Sequence, residues 1–423
     1  MPVLRNGTRK QGIQMSFNII TEARRCLNCK NPMCVKGCPI STQIPTVIKT
    51  FLDGDIDKAG FMLFENNPLS MICSLICNHD NQCEGHCVLG KKSTPVHFSS
   101  IENYISDTYF DKLDFGKIEK KGKRVGVIGG GPAGITIAIL LARKGYDITI
   151  FESREKIGGV LRYGIPEFRL PKSMIERYKK LLLSLGIRIR PNTAIGITIT
   201  VDDLFRDGYR AVFIGTGVWR PNTLHIKGES LGNVHFAINY LTNPDVYTLG
   251  ESLNVIGAGN SAMDVARTAL RHGCKKVTVF SRSETMAAAL SEIEYAKYDG
   301  VEFVTGVEPV EITEDGTVFA KCVKNEDGKR VRIEGSEKFY PAESTIIAVS
   351  QGPKNRIVSS TTGLDITEKG LLVTNTFGET TRDGIFAAGD VVLGARTVVE
   401  AVNYSKQVAN TMDEYLRSLD DKK

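Results

Sequence analysis

Residues 124–153 read RVGVIGGGPAGITIAILLARKGYDITIFES, and this stretch decides the fold. It opens with a short β-branched strand, continues through a glycine-rich turn into an apolar helix, and ends on a second strand. Strands that alternate with helices indicate βαβ units and a parallel sheet. The sequence therefore predicts an α/β fold for the part of the chain that begins near Arg124.

The turn VIGGGPAG holds Gly129, Gly131 and Gly134 in G-x-G-x-x-G spacing, directly after the strand. Gly129 permits the tight turn, Gly131 lets the backbone approach a pyrophosphate, and Gly134 lets helix and strand pack closely. The pyrophosphate then lies at the helix N-terminus, where free N–H groups favour negative charge. Glu152 ends the second strand, where a carboxylate binds the hydroxyls of an adenosine ribose. Together these features predict a dinucleotide site rather than an ordinary glycine turn.

A second unit of the same kind occupies residues 253–284, LNVIGAGNSAMDVARTALRHGCKKVTVFSRSE. Its turn keeps Gly257 and Gly259 but has Ala262 in the third position. Two such units in one chain predict that one domain binds FAD and the other binds a nicotinamide coenzyme.

The residues after the second strand of this unit indicate the coenzyme. Ser281, Arg282 and Ser283 stand where Glu152 stands in the first unit. A carboxylate there would repel a 2′-phosphate, whereas arginine and serine hydroxyls bind one. The pattern favours NADP(H), but Glu284 lies close by and leaves NAD(H) open.

The motif AAGD at 387–390 supplies a further part of the FAD site. Asp390 follows a strand and a glycine, where it would bind the ribityl or phosphate portion of the flavin. The helix that begins near Thr397 would direct its positive end at the flavin pyrimidine and stabilise the anionic reduced flavin.

Eight of the ten cysteines lie within the first 90 residues: Cys26, Cys29, Cys34, Cys38, Cys73, Cys77, Cys83 and Cys87. Clustered cysteines in a reducing compartment indicate metal ligation rather than disulfides. A structural zinc site and an iron–sulfur ligand set are the two interpretations. The spacing C-x2-C-x4-C-x3-C-P at the first four is similar to bacterial ferredoxin runs, in which the fourth cysteine binds the other cluster. Cys274 and Cys322 stand alone in apolar surroundings, as buried small side chains do.

Composition excludes several classes of function. The formal net charge is only +6 and the basic residues are scattered, so nucleic-acid binding has little support. No segment approaches the roughly 18 apolar residues that span a bilayer. The N-terminal MPVLRNGTRKQ lacks the apolar core of a signal peptide, which predicts a cytoplasmic protein.

With these motifs assembled, the chain resembles the glutamate synthase small-subunit family. That family also includes the N-terminal half of dihydropyrimidine dehydrogenase and the NADPH-binding subunit of flavin-based ferredoxin–NADP transhydrogenases. A bacterial-type dihydropyrimidine dehydrogenase flavin subunit is an especially near likeness. The resemblance covers nearly the full length and rests on six motifs in order: CLNCKNPMCVKGCPI (26–40), CSLICNHDNQCEGHC (73–87), GGGPAG (129–134), IGGVLRYGIPEFRLP (157–171), GAGNSAMD (257–264) and AAGD (387–390).

The resemblance implies two Rossmann-like domains, the NAD(P) domain being inserted in the FAD domain, preceded by a mostly helical iron–sulfur domain. The expected bounds are 1–118 for a helical domain with two [4Fe–4S] clusters, 119–245 and 341–423 for the two parts of the FAD domain, and 246–340 for the NAD(P)H domain.

The resemblance also implies the cluster ligands. By position, Cys26, Cys29, Cys34 and Cys87 would hold the first cluster, and Cys38, Cys77 and Cys83 the second. In relatives a non-cysteine ligand from a following helix completes the second cluster, and Glu102 is the candidate here, with Asn103 behind it. Cys73 is left over, and a packed thiol is the favoured interpretation.

We predict two sets of cofactor-binding residues. The FAD set is Gly129, Gly131, Pro132, Ala133, Gly134, Glu152, Gly159, Leu161, Arg162, Gly217, Gly389, Asp390, Thr397 and Val398. The nicotinamide set is Gly257, Gly259, Asn260, Ser261, Ser281 and Arg282. The stretch ETMAAALSEIEYA lacks the Met-Pro turn of many relatives, which leaves the choice of coenzyme open.

The function implied is hydride transfer from NADPH to FAD, then single-electron transfer through two [4Fe–4S] clusters to a catalytic flavoprotein subunit or ferredoxin-like acceptor. No catalytic acid, base or nucleophile is required. Three alternatives stay open: an NADH-using subunit of a bacterial-type dihydropyrimidine dehydrogenase, a stand-alone NAD(P)H:acceptor oxidoreductase, and a regulatory module with vestigial cofactor sites.

Overall fold

The computed structural model describes residues 19–325 and 330–421. The N-terminal stretch for which we predicted no signal peptide lies outside these residues. Among the described residues, no helix is both long enough and apolar enough to cross a membrane.

The N-terminal region is helical, as predicted. Its helices are α1 (residues 19–24), α2 (Met33–Gly37), α3 (Ile44–Leu52), α4 (Ile56–Asn66), α5 (Ser70–Ile76) and α6 (Phe98–Phe110), with 3-10 turns at His79–Asn81 and Val88–Lys91. Asp55 begins α4 by accepting a hydrogen bond from the Lys58 N–H at 2.9 Å. The apolar faces of α3 and α6 meet in a small core that includes Ile48, Phe51 and Ile101.

The elements of the next region alternate between strand and helix. They are β1 (Arg124–Ile128), α7 (Pro132–Arg143), β2 (Asp147–Phe151), α8 (Val160–Tyr163), α9 (Lys172–Ser184), β3 (Arg188–Arg190), α10 (Val201–Arg206) and β4 (Tyr209–Ile214).

The middle region holds most of the remaining strands. They and their helices are β5 (Arg220–Pro221), β6 (Val234–Phe236), α11 (Ala237–Thr242), a 3-10 turn (Pro244–Val246), β7 (Ser252–Ile256), α12 (Asn260–Arg271), β8 (Lys276–Ser281), α13 (Leu290–Tyr298), β9 (Glu302–Thr305), β10 (Val307–Thr313), β11 (Gly316–Lys324), β12 (Arg330–Arg332), β13 (Lys338–Pro341), β14 (Ser344–Ile347) and β15 (Gln351–Gly352).

The C-terminal region returns to the first sheet. It comprises α14 (Arg356–Ser359), β16 (Ile385–Ala387), α15 (Asp390–Leu393) and the long α16 (Val398–Asp421).

Two five-stranded parallel sheets form the framework, which confirms the predicted α/β class. The first has the order β16-β4-β1-β2-β3 and the second the order β6-β14-β7-β8-β9. An antiparallel sheet of β10, β11, β12 and β13 is attached to the second, and the pattern of the sequence did not predict it.

The chain passes between the two parallel sheets at a short antiparallel ribbon, in which β5 pairs with β15. Strands β6 and β14 lie outside the 246–340 segment expected for the second domain, yet both pair within its sheet. Since strands of one sheet share a hydrogen-bonded ladder, we propose that the second domain extends on both sides as far as this ribbon.

The helical domain packs directly on the first parallel domain. Leu69, Met71 and Ile72 belong to the same buried core as helices α7 and α9. The Tyr178 hydroxyl donates to the Pro68 carbonyl at 2.9 Å, and its ring meets Phe110 edge to face at 4.7 Å. Continuous apolar burial of this kind fixes the position of the cysteine-rich segment against the first sheet.

Candidate functional site

One cavity at the carboxyl edge of the first sheet collects most of the predicted FAD residues. Open α/β sheets bind ligands at this edge, where loops leave the strands. The predicted residues that line the cavity are Gly129, Gly131, Pro132, Ala133, Glu152, Gly159, Gly217, Gly389, Asp390, Thr397 and Val398.

The glycine turn has the geometry that a close-approaching ligand requires. Gly129 has φ of 101°, and a Cβ there would lie 2.6 Å from the Gly215 oxygen. A Cβ on Gly134 would lie 1.9 Å from the Gly129 oxygen, so helix α7 packs on the turn itself. A Cβ on Gly159 would lie 2.8 Å from the Gly131 Cα. The two turns therefore touch and present backbone to the cavity, which fits a pyrophosphate at the start of α7.

Glu152 lies in this cavity with its carboxylate held in place. Its Oε2 accepts from the Gly130 N–H at 2.8 Å, and its Oε1 accepts from the Arg154 N–H at 2.9 Å. The side chain is 5% exposed. Oε1 also accepts from the Ser153 hydroxyl at 3.2 Å, so Oε2, with one donor, is the oxygen that retains capacity to accept from a ribose hydroxyl.

Helix α16 begins at the cavity, close to the predicted start. Thr397 and Glu400 form a reciprocal cap, in which the Thr397 hydroxyl and N–H donate to Glu400 Oε2 at 2.6 and 3.0 Å. Val398 and Ala401 line the cavity beside them. The positive end of a 24-residue helix therefore faces the space where the flavin would lie.

Asp390 lines the same cavity beside the start of α16, where its Oδ1 accepts from the Arg396 N–H at 3.3 Å. Burial raises the pKa of this carboxyl to about 7, although an N–H donated by Arg396 opposes the rise. Asp390 is half-buried, and a carboxyl in such surroundings is suited to hydrogen bonds with ligand hydroxyls.

Besides Gly134, two predicted FAD residues lie behind the cavity wall rather than on it. Leu161 is fully buried, and its carbonyl accepts from Lys172 at 3.0 Å. Arg162 donates to the Ile157 carbonyl at 2.9 Å and pairs with Glu176. Both residues hold the loop that carries Gly159.

Sequence reasoning missed a stacked group on the cavity wall. The Arg154 guanidinium lies 4.2 Å from the Trp219 ring centre and 4.3 Å from that of Tyr163. Arg154 and Trp219 line the cavity. No motif marks these residues, although the position of Arg154 two residues after Glu152 is a usable signal.

The second glycine turn adjoins the same cavity. Gly257 has φ of 144°, and a Cβ there would lie 2.3 Å from the Ala348 oxygen. Gly259 caps α12, and the Asn260 Oδ1 accepts from the Ala289 N–H at 2.8 Å. Ser261, predicted for the nicotinamide site, lines the cavity that collects the predicted FAD residues. The two predicted dinucleotide sites therefore meet at the start of α12.

The residues expected to meet a 2′-phosphate differ in their surroundings. Ser281 is buried, and its hydroxyl donates to the Ser283 carbonyl at 2.9 Å while accepting from the Ser283 N–H at 3.1 Å. It therefore shapes the turn instead of presenting a free hydroxyl. Arg282 is exposed. Glu284 accepts from Thr305 at 3.1 Å, so its carboxylate is directed toward the next strand.

A buried ion-pair network joins the two dinucleotide domains. Arg169, from the loop after α8, binds both oxygens of Asp264 on α12 at 3.0 and 2.9 Å. Its Nε lies 2.8 Å from Glu292 on α13, which also pairs with Arg267 at 2.8 Å. The side chains of Arg169 and Asp264 are 9% and 4% exposed. Burial raises the pKa of Asp264 to about 6, against the opposing effect of Arg169.

The first predicted ligand set is assembled in the structure. Cys26, Cys29, Cys34 and Cys87 line one apolar cavity in the helical domain, and Cys83 of the second set reaches the same cavity. Burial, together with the neighbouring thiols Cys87, Cys26 and Cys29, raises the pKa of Cys34 to about 11. Thiols that disfavour one another's ionisation are stabilised as thiolates by bound iron.

The second predicted set lies deeper. Burial raises the pKa of Cys83, and the carboxyl groups of Glu102 and Glu84 and the Cys38 thiol raise it further. The pKa of Cys77 is raised by its hydrogen bond with Cys73 and then by burial. Cys38, Cys77, Cys83 and Glu102 therefore occupy one neighbourhood.

Cys73 lies within this neighbourhood too. It is buried, and hydrogen bonds from Cys77 and Asn67 lower its pKa. The Asn103 amide instead donates to Ser74 at 3.1 Å. Cys73 is therefore a better alternative to Glu102 than Asn103 is, as the fourth ligand of the second set.

The spacing of the thiols bears on the zinc interpretation. Within residues 19–325 and 330–421, no three His, Cys, Asp or Glu side chains converge as ligands of a single metal ion. Structural zinc draws its four ligands to about 2.0–2.3 Å from one centre. Thiols spread around an apolar cavity fit a multi-atom cluster better than a single ion.

Glu102→Gln is expected to change the spectrum of the second cluster and lower its stability. Glu102 is 6% exposed, and burial raises its pKa well above the usual range. A carboxylate in that position needs a cation, and iron would supply one. Electron paramagnetic resonance of the reduced protein measures the change. A spectrum identical to wild type would assign the fourth ligand elsewhere, and Cys73→Ser is the paired variant.

Comparison with known proteins gives a consistent result. Residues 123–407 match the family model "Pyridine nucleotide-disulphide oxidoreductase", and residues 6–113 match "Dihydropyrimidine dehydrogenase domain II, 4Fe-4S cluster". The glutamate synthase [NADPH] small chain of Escherichia coli K12 is 33% identical, over 93% of this chain and 91% of that one.

Two further relatives extend the comparison. The NAD-dependent dihydropyrimidine dehydrogenase subunit PreT of Escherichia coli K12 is 30% identical, over 95% of each chain. The fold is shared with Mycobacterium tuberculosis FprA in complex with NADPH, with a TM-score of 0.60 and 17% identity over 71% of this chain and 86% of that chain.

Proposed function

Because the chain belongs to the glutamate synthase small-chain family of flavin- and iron–sulfur-dependent pyridine-nucleotide oxidoreductases, we propose that it oxidises NADPH and passes the electrons to a partner. FAD and two [4Fe–4S] clusters would be its resident cofactors. The observation that carries the proposal is the meeting of the two glycine turns at one cavity, where Ser261 lies among the FAD-site residues.

Flavin, when bound, accepts two electrons as hydride and releases them singly, as iron–sulfur clusters require. The chain's own residues bind and orient the reactants. Glu152 and Asp390 would hold the ribose and ribityl portions, and the backbone at Gly131 and Gly159 would hold the pyrophosphate. The start of α16 would stabilise negative charge on the flavin ring. The Arg169 network would hold α12, and with it the nicotinamide site, against this cavity.

The packing of the thiol sets supports an order for the electrons. Cys38 and Cys77, of the second set, pack against the core shared with the first sheet. Cys26, Cys34 and Cys87, of the first set, pack against the separate core of the helical domain, which Cys38 also contacts and to which Cys83 belongs. We infer that the second set, which reaches the core shared with the first sheet, would hold the cluster that accepts electrons from the flavin, and that the first set would hold the cluster that delivers them to an acceptor.

The acceptor is proposed to be a catalytic flavoprotein subunit or a ferredoxin-like protein. Two relatives are named as parts of larger enzymes, one a small chain of glutamate synthase and the other a subunit of dihydropyrimidine dehydrogenase. Ligand thiols must stay reduced, which supports the cytoplasm as the site of action. A stand-alone NAD(P)H:acceptor oxidoreductase is the competing proposal, and co-purification of a partner separates the two.

The proposed cofactors are tested by anaerobic purification and analysis. We expect about one FAD, about eight iron and about eight sulfide per chain, since each [4Fe–4S] cluster contributes four of each. Reduction by NADPH should bleach the flavin and then change the cluster spectrum. About one zinc without iron would overturn the cluster assignment, and flavin-free protein would support a regulatory module instead.

Arg282→Ala is expected to weaken NADPH binding by about ten- to a hundredfold and to leave NADH unaffected. A charge-assisted hydrogen bond to the 2′-phosphate contributes roughly 1.5–3 kcal/mol, and each 1.4 kcal/mol is a factor of ten. Arg282 is exposed after β8, whereas Glu284 is turned toward Thr305. Steady-state reduction of a dye with each coenzyme measures the effect.

The control for this prediction is Lys276→Ala, an exposed cation at the opposite end of β8. It should leave both coenzymes unchanged. The relatives differ in coenzyme, since one is named for NADPH and the other is NAD-dependent. A wild-type protein that prefers NADH would refute the NADPH assignment and leave the flavin and cluster proposals standing.

A further inference from the structure

The segments that carry the first thiol set form an exposed face of the helical domain. We define the cluster face as residues 24–38 and 85–93. The two segments lie side by side, because Leu27, Met33, Val88 and Leu89 line the cavity that also holds Cys26, Cys29, Cys34 and Cys87. Arg25 reinforces the contact by donating to the Pro95 carbonyl at 3.1 Å.

The charge on the cluster face has one sign. Its charged residues are Arg24, Arg25, Lys30, Lys36, Lys91 and Lys92, and neither segment contains Asp or Glu. The whole chain is nearly balanced, with 54 basic and 48 acidic residues, so this face departs from the average. Arg25 pairs with Glu22, whereas the four lysines are exposed and pair with no carboxylate of the described chain.

The centre of the face is apolar. Leu27 is 62% exposed and Met33 is 40% exposed, and both also line the thiol cavity. These side chains therefore stand between the first ligand set and solvent. Large exposed apolar side chains with a rim of one charge are characteristic of a protein-binding surface.

We propose that the cluster face docks the acidic surface of an electron-carrier protein, so that electrons pass between that carrier and the first cluster in either direction. The inference rests on the proposed function, because it requires electrons to reach that cluster. Complexes for electron transfer are small and transient, and opposite charges raise their association rate. Lysines around an apolar centre meet both requirements.

The alternative is that the lysines only keep the surface hydrated or offset the negative charge of the cluster. In that case the identity of the carrier would not matter. The KM for an acidic carrier would then also be independent of the sign of the charge on these side chains. Reversing that charge therefore separates the two explanations.

The experiment uses the anaerobic holoprotein and a reduced bacterial-type ferredoxin with an acidic surface, with formation of NADPH from NADP⁺ as the readout. Lys30→Glu and Lys92→Glu are each expected to raise the KM for ferredoxin about tenfold or more. The matched control is Lys179→Glu, an exposed lysine of α9 away from the face, which should leave KM unchanged. The wild-type rate should fall as salt rises.

Cluster reduction by NADPH alone, followed by electron paramagnetic resonance, needs no partner and tests the proposed function separately. If NADPH does not reduce the clusters, the proposed function fails before docking is tested. If it does, equal KM values in all variants, or faster reaction with basic cytochrome c than with ferredoxin, would overturn the docking proposal. Because Lys30→Glu and Lys92→Glu are independent, the test remains valid even if one of the two variants does not assemble its cluster.

Discussion

Arg169→Met is expected to slow flavin reduction by NADPH about a hundredfold while FAD stays bound. Arg169 does not line the FAD cavity, but it binds both oxygens of Asp264 on α12, the helix that begins with the predicted pyrophosphate turn. Without this contact α12 would no longer be fixed relative to the flavin. A displacement of about 1 Å between reacting groups costs roughly a hundredfold in rate.

The same change is expected to lower stability substantially. Asp264 is 3% exposed, and removal of Arg169 would leave its carboxyl buried without its bidentate partner. Breaking a buried pair by removing one member costs about 3–5 kcal/mol. Glu292 would suffer less because Arg267 still pairs with it at 2.8 Å.

The loss of stability in Arg169→Met should increase as pH rises. Burial raises the pKa of Asp264 to about 6 in the wild type, and Arg169 is among the groups that oppose the rise. Without Arg169 the pKa rises further, so the folded variant binds a proton more tightly than the unfolded chain. Stability then falls as pH increases from the ordinary aspartate range through the raised pKa. The variant should therefore be less impaired at pH 6 than at pH 8.

Stopped-flow flavin reduction and thermal unfolding at both pH values measure these effects. Arg177→Met is the control, since Arg177 pairs with Asp107 and Asp111 across the other interface. It should not slow flavin reduction. The double variant Arg169→Met/Asp264→Leu removes both charges and should recover stability. Flavin reduction at the wild-type rate in Arg169→Met would show that the network does not position α12.

The parts of the fold that follow from local pattern could be predicted. Gly129 and Gly257 adopt φ values that favour glycine, and each lies between a parallel strand and a helix, as their motifs indicated. Periodicity could not show which strands share a sheet. Strand β6 joins the second sheet through its pairing with β14, much later in the chain, and for that reason we propose wider bounds for the second domain than the expected 246–340.

The residues of the candidate site likewise fall into those that a local motif indicates and those that depend on contacts between distant parts of the chain. Most of the residues predicted to bind FAD line one cavity, because each fulfils a backbone or charge requirement within one motif, and their role stays a prediction. Arg169 stands in a motif that was noticed, but its partners Asp264 and Glu292 lie on two helices of another domain. Ser281 is the converse case, since its position predicts a contact with the 2′-phosphate, whereas its hydroxyl hydrogen-bonds within its own turn in the structure. Tertiary contacts decide both cases, and residue type alone does not reveal them.

Cys38→Ala is expected to abolish electron delivery to any protein acceptor while NADPH still reduces the flavin. Cys38 belongs to the first cysteine run, but it lies with Cys83 in the second set and packs on the core shared with the FAD domain. If electrons pass through the second cluster first, its loss isolates the first cluster from the flavin. Iron should fall from about eight to about four per chain.

Cys29→Ala is the matched variant, since it removes a ligand of the first set only. Cys29→Ala should stop electron delivery to an acceptor as completely as Cys38→Ala does. NADPH should nevertheless still reduce the second cluster, which remains in this variant. Electron paramagnetic resonance of each variant after addition of NADPH distinguishes the two clusters. The order is reversed if the cluster remaining in Cys38→Ala is reduced by NADPH and the one remaining in Cys29→Ala is not. Loss of flavin from Cys38→Ala would instead show that the cysteine-rich domain forms part of the FAD site. Because Cys38 packs against the core shared with the first sheet, this variant is the sharpest test of where the two domains divide.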